Sequence, residues 1–85
     1  MKTVSSKRAL LTLYQARADS ALKVLSISGG WGVRRNLNEV GLHLGDTIRI
    51  LRRAPFGGPL MIVSHGTEVA IGRQMAEKVK VEVIR

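Results

Sequence analysis

The stretch Gly41–Pro59, GLHLGDTIRILRRAPFGGP, decides the fold that this sequence predicts. Gly41 and Gly45 frame a loop, and the alternating segment Thr47–Arg53 predicts a short strand with an inner and an outer face. Two prolines around two glycines then predict a turn at 54–59. None of these side chains looks catalytic, so the stretch indicates a scaffold for binding.

Upstream of this stretch, the sequence predicts a short helix that ends at Gly41. Apolar residues recur at helical spacing across the predicted helix Val33–Val40. Gly41 takes the left-handed position after the last turn, and Leu42 is expected to pack back on Leu37, as in a Schellman ending. The ending would set the direction in which the chain enters the next strand.

The rest of the chain predicts short strands joined by compact turns. A helix capped by Ser6 is predicted at Lys7–Arg17, after a frayed start at 1–6. The predicted strands are Ala21–Ser28, Thr47–Arg53, Leu60–Ser64, Glu68–Gly72 and Lys80–Ile84, with a loop at 29–32, a hairpin turn at His65–Gly66 and one helical turn at Arg73–Lys78. About five short antiparallel strands at this spacing indicate a small, mainly β barrel, and the length predicts a single domain over 1–85.

The amino-acid composition indicates which kind of partner the chain would bind, but says less about any reaction. Fourteen basic and six acidic residues give a formal net charge of +8. That charge favours an acidic partner, although small domains also carry excess charge for solubility. The chain has no cysteine, which excludes disulfides and thiolate sites. With no apolar stretch near the N-terminus of the roughly 20 residues that span a bilayer, we predict a cytoplasmic protein without membrane insertion.

Residues suited to catalysis or metal binding are sparse. The two histidines, His43 and His65, fall in predicted turns. Asp46 and Glu68 follow them at i, i+3 spacing, which offers two ligands a site where zinc uses three or four. We therefore predict a protein that is not an enzyme, with no catalytic residue, no metal site and no cofactor.

Six side chains are predicted to bind a partner. Arg34 and Arg35 belong to the predicted first helical turn, where guanidinium groups and backbone N–H groups together suit an anion or a partner carboxylate. Trp31 and Phe56 are loop aromatics that either anchor an interface or fold back over the open end of the barrel. The predicted set is Trp31, Arg34, Arg35, Arg52, Arg53 and Phe56.

Read in order, the chain resembles the FeoA family, small cytosolic proteins of bacterial ferrous iron uptake. The resemblance runs from about Leu13 to Val83. The residues that carry it are Val24 and Ile27, SGG at Ser28–Gly30, RRNLNEVG at Arg34–Gly41, the stretch Gly41–Pro59, and VAIGRQMAEKVKVE at Val69–Glu82.

This resemblance implies an SH3-like barrel and a role beside FeoB, the membrane GTPase permease for ferrous iron. The protein would bind the cytoplasmic part of the permease and support or regulate transport. The family usually has a leucine and a glycine where this chain has Ala16 and Asp19. We therefore expect a longer N-terminal helix in place of the usual turn.

Two other functions remain open. A nucleic-acid-binding SH3-like module would suit the charge of +8, although three aromatic side chains are few for base stacking, and we predict no stable nucleic-acid complex. The C-terminal SH3-like domain of an iron-dependent repressor would share the barrel, but this chain lacks the DNA-binding helices. Apolar residues on both faces of the first predicted strand, Ala21–Ser28, predict burial on both sides, which either a homodimer or a well-covered monomer would provide.

Overall fold

A curved sheet of six antiparallel strands forms the fold in the computed structural model, which describes residues 10–84. The strands are β1 (Leu10–Thr12), β2 (Ala21–Ile27), β3 (Thr47–Arg53), β4 (Leu60–Ser64), β5 (Thr67–Ile71) and β6 (Val79–Ile84), and the α-helices are α1 (Trp31–Glu39) and α2 (Arg73–Ala76). Along the sheet the order is β1-β6-β2-β3-β4-β5. The predicted mainly β, SH3-like fold is confirmed, with six strands in the described chain where about five were predicted.

One face of the sheet carries the hydrophobic core. Side chains alternate on β3, where Ile48 and Ile50 are buried as the pattern predicts. On β2 the buried residues are Leu22 and Val24, while Leu25 is exposed. The prediction that β2 is buried on both faces is therefore wrong. The core consists of Leu13, Ala16, Leu22, Val24, Leu37, Leu42, Ile48, Ile50, Leu60, Ile62, Ile71, Ala76, Val79 and Val81.

The N-terminal segment is not the predicted helix Lys7–Arg17 within the described residues. It forms β1 and then a 3-10 turn at Leu13–Gln15, while Ser6 and the start at 1–6 lie outside the described residues. Thr12 and Gln15 hold the turn by a reciprocal capping box, with N···O distances of 3.0 and 3.3 Å. Pairing of β1 with β6 adds tertiary contacts that outweigh a weak local preference for helix.

Asp19 forms a turn at the position where the resemblance implies a glycine. Its φ is 66°, in the left-handed region that aspartate tolerates better than most residues. Its backbone N–H donates to the carbonyl oxygen of Ile50 at 2.8 Å. Ala16, at the usual leucine position, is fully buried. The expectation that a longer helix replaces this turn is thus wrong.

Helix α1 ends in the predicted Schellman motif. Gly41 has a φ of 97°. Its N–H donates to the carbonyl oxygen of Asn38 at 3.0 Å, and the Leu42 N–H donates to that of Leu37 at 2.9 Å. Leu37 and Leu42 are both in the core. The helix begins at Trp31, two residues before the predicted start, so Trp31 belongs to the helix and not to a loop.

Replacing Gly41 with alanine is expected to lower the free energy of unfolding by about 1–2 kcal/mol. An added Cβ meets no atom within 4 Å, so the cost comes from backbone strain alone. Gly32→Ala inside α1 is the matched control, since its Cβ also meets nothing within 4 Å and its φ is not positive. That change should stabilise the protein by about 0.5–1 kcal/mol. Urea unfolding checks both, and equal effects would rule out strain at Gly41.

Both α-helices are short. Helix α1 has nine residues and α2 has four. Within residues 10–84, no helix combines the length and the apolar character that crossing a membrane requires.

Candidate partner-binding surface

The start of α1 presents an exposed aromatic ring beside two guanidinium groups. Trp31 is 74% exposed. Arg34 and Arg35 follow at i+3 and i+4, so all three side chains share one side of the helix. The guanidinium carbon of Arg35 lies 5.6 Å from the centroid of the Trp31 ring. Trp31 and both arginines line a shallow concavity, and we name these three residues the helix surface.

The two arginines of the helix surface differ in their contacts. Arg35 Nε lies 3.5 Å from a carboxylate oxygen of Glu39, and both side chains are more than 60% exposed, so this pair stabilises the helix little. Arg34 has no ion-pair partner among residues 10–84. Both arginines were predicted in the first turn of the helix. Because α1 begins at Trp31, they lie just beyond the first turn and oppose the helix dipole less than predicted.

Arg53 makes internal contacts. Its guanidinium donates to the carbonyl oxygens of Tyr14 and Ala16, the latter at 2.5 Å. The guanidinium carbon also lies 4.8 Å from the centroid of the Tyr14 ring. Arg73 approaches the same ring at 5.3 Å. Although we predicted Arg53 as a partner-binding residue, the structure uses it to hold the 3-10 turn against the end of β3.

The turn after β3 exposes a second aromatic side chain. Phe56 is fully exposed and has a φ of 60°. Arg52, near the end of β3, is exposed as well. We name Arg52 and Phe56 the turn surface. Neither Phe56 nor Trp31 folds back over the barrel. Along the chain, the helix surface precedes β3 and the turn surface follows it.

A third group, the histidine cluster, brings His43, Asp46 and His65 together. His43 Nδ1 lies 3.5 Å from Asp46 Oδ2, and His65 Nε2 lies 3.2 Å from Asp46 Oδ1. The His43 backbone N–H also donates to Asp46 Oδ2 at 2.8 Å. Burial alone would raise the pKa of Asp46, but the backbone hydrogen bond from His43 and the two imidazoles outweigh it and lower that pKa.

The sequence analysis paired His65 with Glu68, and the structure pairs it with Asp46. His65 and Gly66 have φ values of 54° and 77°, which confirms the hairpin turn and fits type I′. Ile48 of β3 lies opposite Ser64 of β4, and this register brings the residue after Ser64 towards the loop before β3. Predicting the cluster from the sequence would have required the register in which β3 pairs with β4.

Comparison with known proteins places residues 11–83 within one family model, the FeoA domain. The chain is also similar to a protein of Methanocaldococcus jannaschii described as a putative Fe(2+) transport protein A. The two are 31% identical over 67 residues, which is 79% of either chain.

Solved structures share the fold. The crystal structure of an iron uptake regulatory protein (FeoA) is 32% identical, with a TM-score of 0.83, and the match covers 89% of this chain and all of that one. A manganese-dependent transcriptional repressor is 22% identical, with a TM-score of 0.81. That match covers 92% of this chain and 44% of the repressor, and it shows the fold alone.

Proposed function

The chain belongs to the FeoA domain family, and we propose that it is an accessory protein of ferrous iron uptake. In this proposal it works in the cytoplasm, binds the cytoplasmic part of a FeoB-type GTPase permease and has no catalytic step of its own. Similarity to a putative Fe(2+) transport protein A and to an iron uptake regulatory protein supports the transport role. The family resemblance implies the permease as partner.

The exposure and composition of the helix surface are the main support for binding to a partner. Tryptophan and arginine dominate the energetics of protein interfaces, and Trp31 presents most of its ring to solvent. The Arg35 guanidinium against the ring suits an acidic groove or a carboxylate-bearing loop, as does Arg34, which has no ion-pair partner within residues 10–84. The net charge of +8 would speed the encounter with such a partner.

Trp31→Ala is expected to weaken binding to the isolated cytoplasmic part of the cognate permease by about 30-fold, or about 2 kcal/mol. Isothermal titration calorimetry measures the change. Phe56→Ala removes the exposed aromatic of the turn surface and is expected to have a smaller effect. Weakening by Phe56→Ala alone would move the interface to the turn surface.

Charge reversal tests the electrostatic part of the same interface. Arg34→Glu should slow association and reduce its salt dependence. Arg49→Glu makes the same charge change at an exposed position of β3 and serves as the matched control. The proposed function is wrong if the wild-type chain does not bind the permease domain and if cells that lack this chain take up iron normally.

A further inference from the structure

We propose that the histidine cluster binds a divalent first-row transition-metal ion. The ligands are one imidazole nitrogen each from His43 and His65 and the carboxylate of Asp46. The cluster shares no residue with the helix surface, so this proposal stands or falls independently of permease binding.

The spacing of the ligand atoms matches a metal site. Ligands at about 2.0–2.1 Å from a tetrahedral zinc ion lie about 3.3 Å from one another. In the cluster, the imidazole-to-carboxylate distances are 3.2 Å for His65 and 3.5 Å for His43. One ligand atom from each residue lies within 4.8 Å of the other two. Rotation of the two exposed histidine side chains can therefore bring their nitrogens and one carboxylate oxygen around a single ion.

Backbone contacts hold the two loops that carry the ligands. The Gly45 N–H donates to the carbonyl oxygen of Val24 at 2.8 Å, and the Val24 N–H donates to that of Asp46 at 2.9 Å. On the hairpin side, the buried Ser64 hydroxyl donates to the carbonyl oxygen of Gly41 at 3.0 Å. These bonds tie the loop before β3 to β2, and tie the end of β4 to the segment that follows α1. Ligands positioned in this way lose little conformational freedom on binding.

The Asp46 carboxylate is oriented as metal ligands commonly are. Its Oδ2 accepts the His43 backbone N–H at 2.8 Å, and its side chain is only 13% exposed. A carboxylate that accepts a backbone hydrogen bond keeps its orientation towards the two imidazoles. The His43 and His65 side chains are 51% and 67% exposed, so water or an external ligand can complete the coordination.

The donor set selects the kind of ion. Imidazole nitrogen with carboxylate oxygen suits Zn²⁺, Ni²⁺, Co²⁺ and Fe²⁺, and affinity for such sites rises from Mn²⁺ along the first-row series. Mg²⁺ prefers an all-oxygen shell and keeps its waters. Zn²⁺ is therefore expected to bind more tightly than Mn²⁺, and Mg²⁺ is expected not to engage the imidazoles.

The imidazole resonances report on this site without interference. The chain has two histidines and no cysteine, so with any affinity tag removed both imidazole signals belong to the cluster. Titration of the full chain with zinc chloride, followed by proton–nitrogen correlation spectra, should shift both signals together and saturate at one ion per chain. Magnesium chloride should leave them unchanged. A shift of one signal alone, or equal shifts with magnesium, would overturn the proposal.

Variants separate metal binding from a purely structural hydrogen-bond network. Asp46→Asn keeps the size and one oxygen acceptor but removes the charge, and should weaken Zn²⁺ binding by at least about tenfold. His65→Gln, at the exposed hairpin, should weaken it similarly and is the second variant if Asp46→Asn does not fold. Glu68→Gln is the matched control and should bind as the wild type does. Unchanged affinity in the folded variants would show that the cluster is only structural.

Discussion

Replacing Leu13 with alanine is expected to lower the free energy of unfolding by about 2–5 kcal/mol. Leu13 is fully buried in the 3-10 turn, and this turn packs against β6 and α2. Removing three carbon atoms leaves a cavity between these elements, because the surrounding backbone is tied by the strand pairing of β6. Small domains have about 5–15 kcal/mol of stability in total, so the loss is a large share.

Urea unfolding followed by circular dichroism measures the loss due to Leu13→Ala. Leu44→Ala makes the same chemical change at a side chain that is 44% exposed, and is expected to stay within about 0.5 kcal/mol of the wild type. A similar small effect at Leu13 would show that the N-terminal turn is not part of the core, contrary to the structure.

Arg53→Met is expected to lower the free energy of unfolding by about 1.5–3 kcal/mol. Methionine retains much of the apolar stem but none of the donors, so the carbonyl oxygens of Tyr14 and Ala16 lose their guanidinium partner. The contact with the Tyr14 ring is lost as well. Because these contacts join the 3-10 turn to β3, hydrogen exchange in the N-terminal segment should also become faster.

Arg52→Met is the control for Arg53→Met. Both substitutions remove the same charge from adjacent exposed positions, but the hydrogen bonds to the carbonyl oxygens of Tyr14 and Ala16 come from Arg53. Its substitution is expected to change stability by less than about 0.5 kcal/mol. If the two variants were equally stable, the hydrogen bonds of Arg53 would contribute nothing, and Arg53 would return to the set of partner-binding candidates.

Local patterns predicted the middle of the fold well. The bounds of β3 and β4 agree with the prediction, because alternating side chains and flanking Gly and Pro turns define both ends. The Schellman ending at Gly41 follows from glycine and the two leucines around it. In contrast, β1 has three residues and no periodicity of its own, and it is stabilised by pairing with β6, about 70 residues further along the chain.

In the candidate sites, too, features set by neighbouring residues were predicted and features set by distant contacts were not. Trp31 was predicted in a loop because three of the four residues at 29–32 are glycine, yet the helix begins at Trp31, with Gly30 as its N-cap at a φ of 85°. The role of Arg53 depends on carbonyl groups 37 and 39 residues away, which no local pattern contains. The histidine cluster likewise needs the register of two strands. Trp31, Arg34 and Phe56 were selected from their local setting, and the structure shows that all three are exposed.

The position of β6 in the sheet has a consequence for biosynthesis. It is the latest described strand in the sequence, yet it lies between β1 and β2, with Leu11 opposite Val81. During translation, β1 therefore has no pairing partner until residues 79–84 have left the ribosome. Contacts this distant in sequence are typical of domains that fold in milliseconds to seconds. We expect the sheet to close in one late step once β6 has emerged, with β1 unpaired until then.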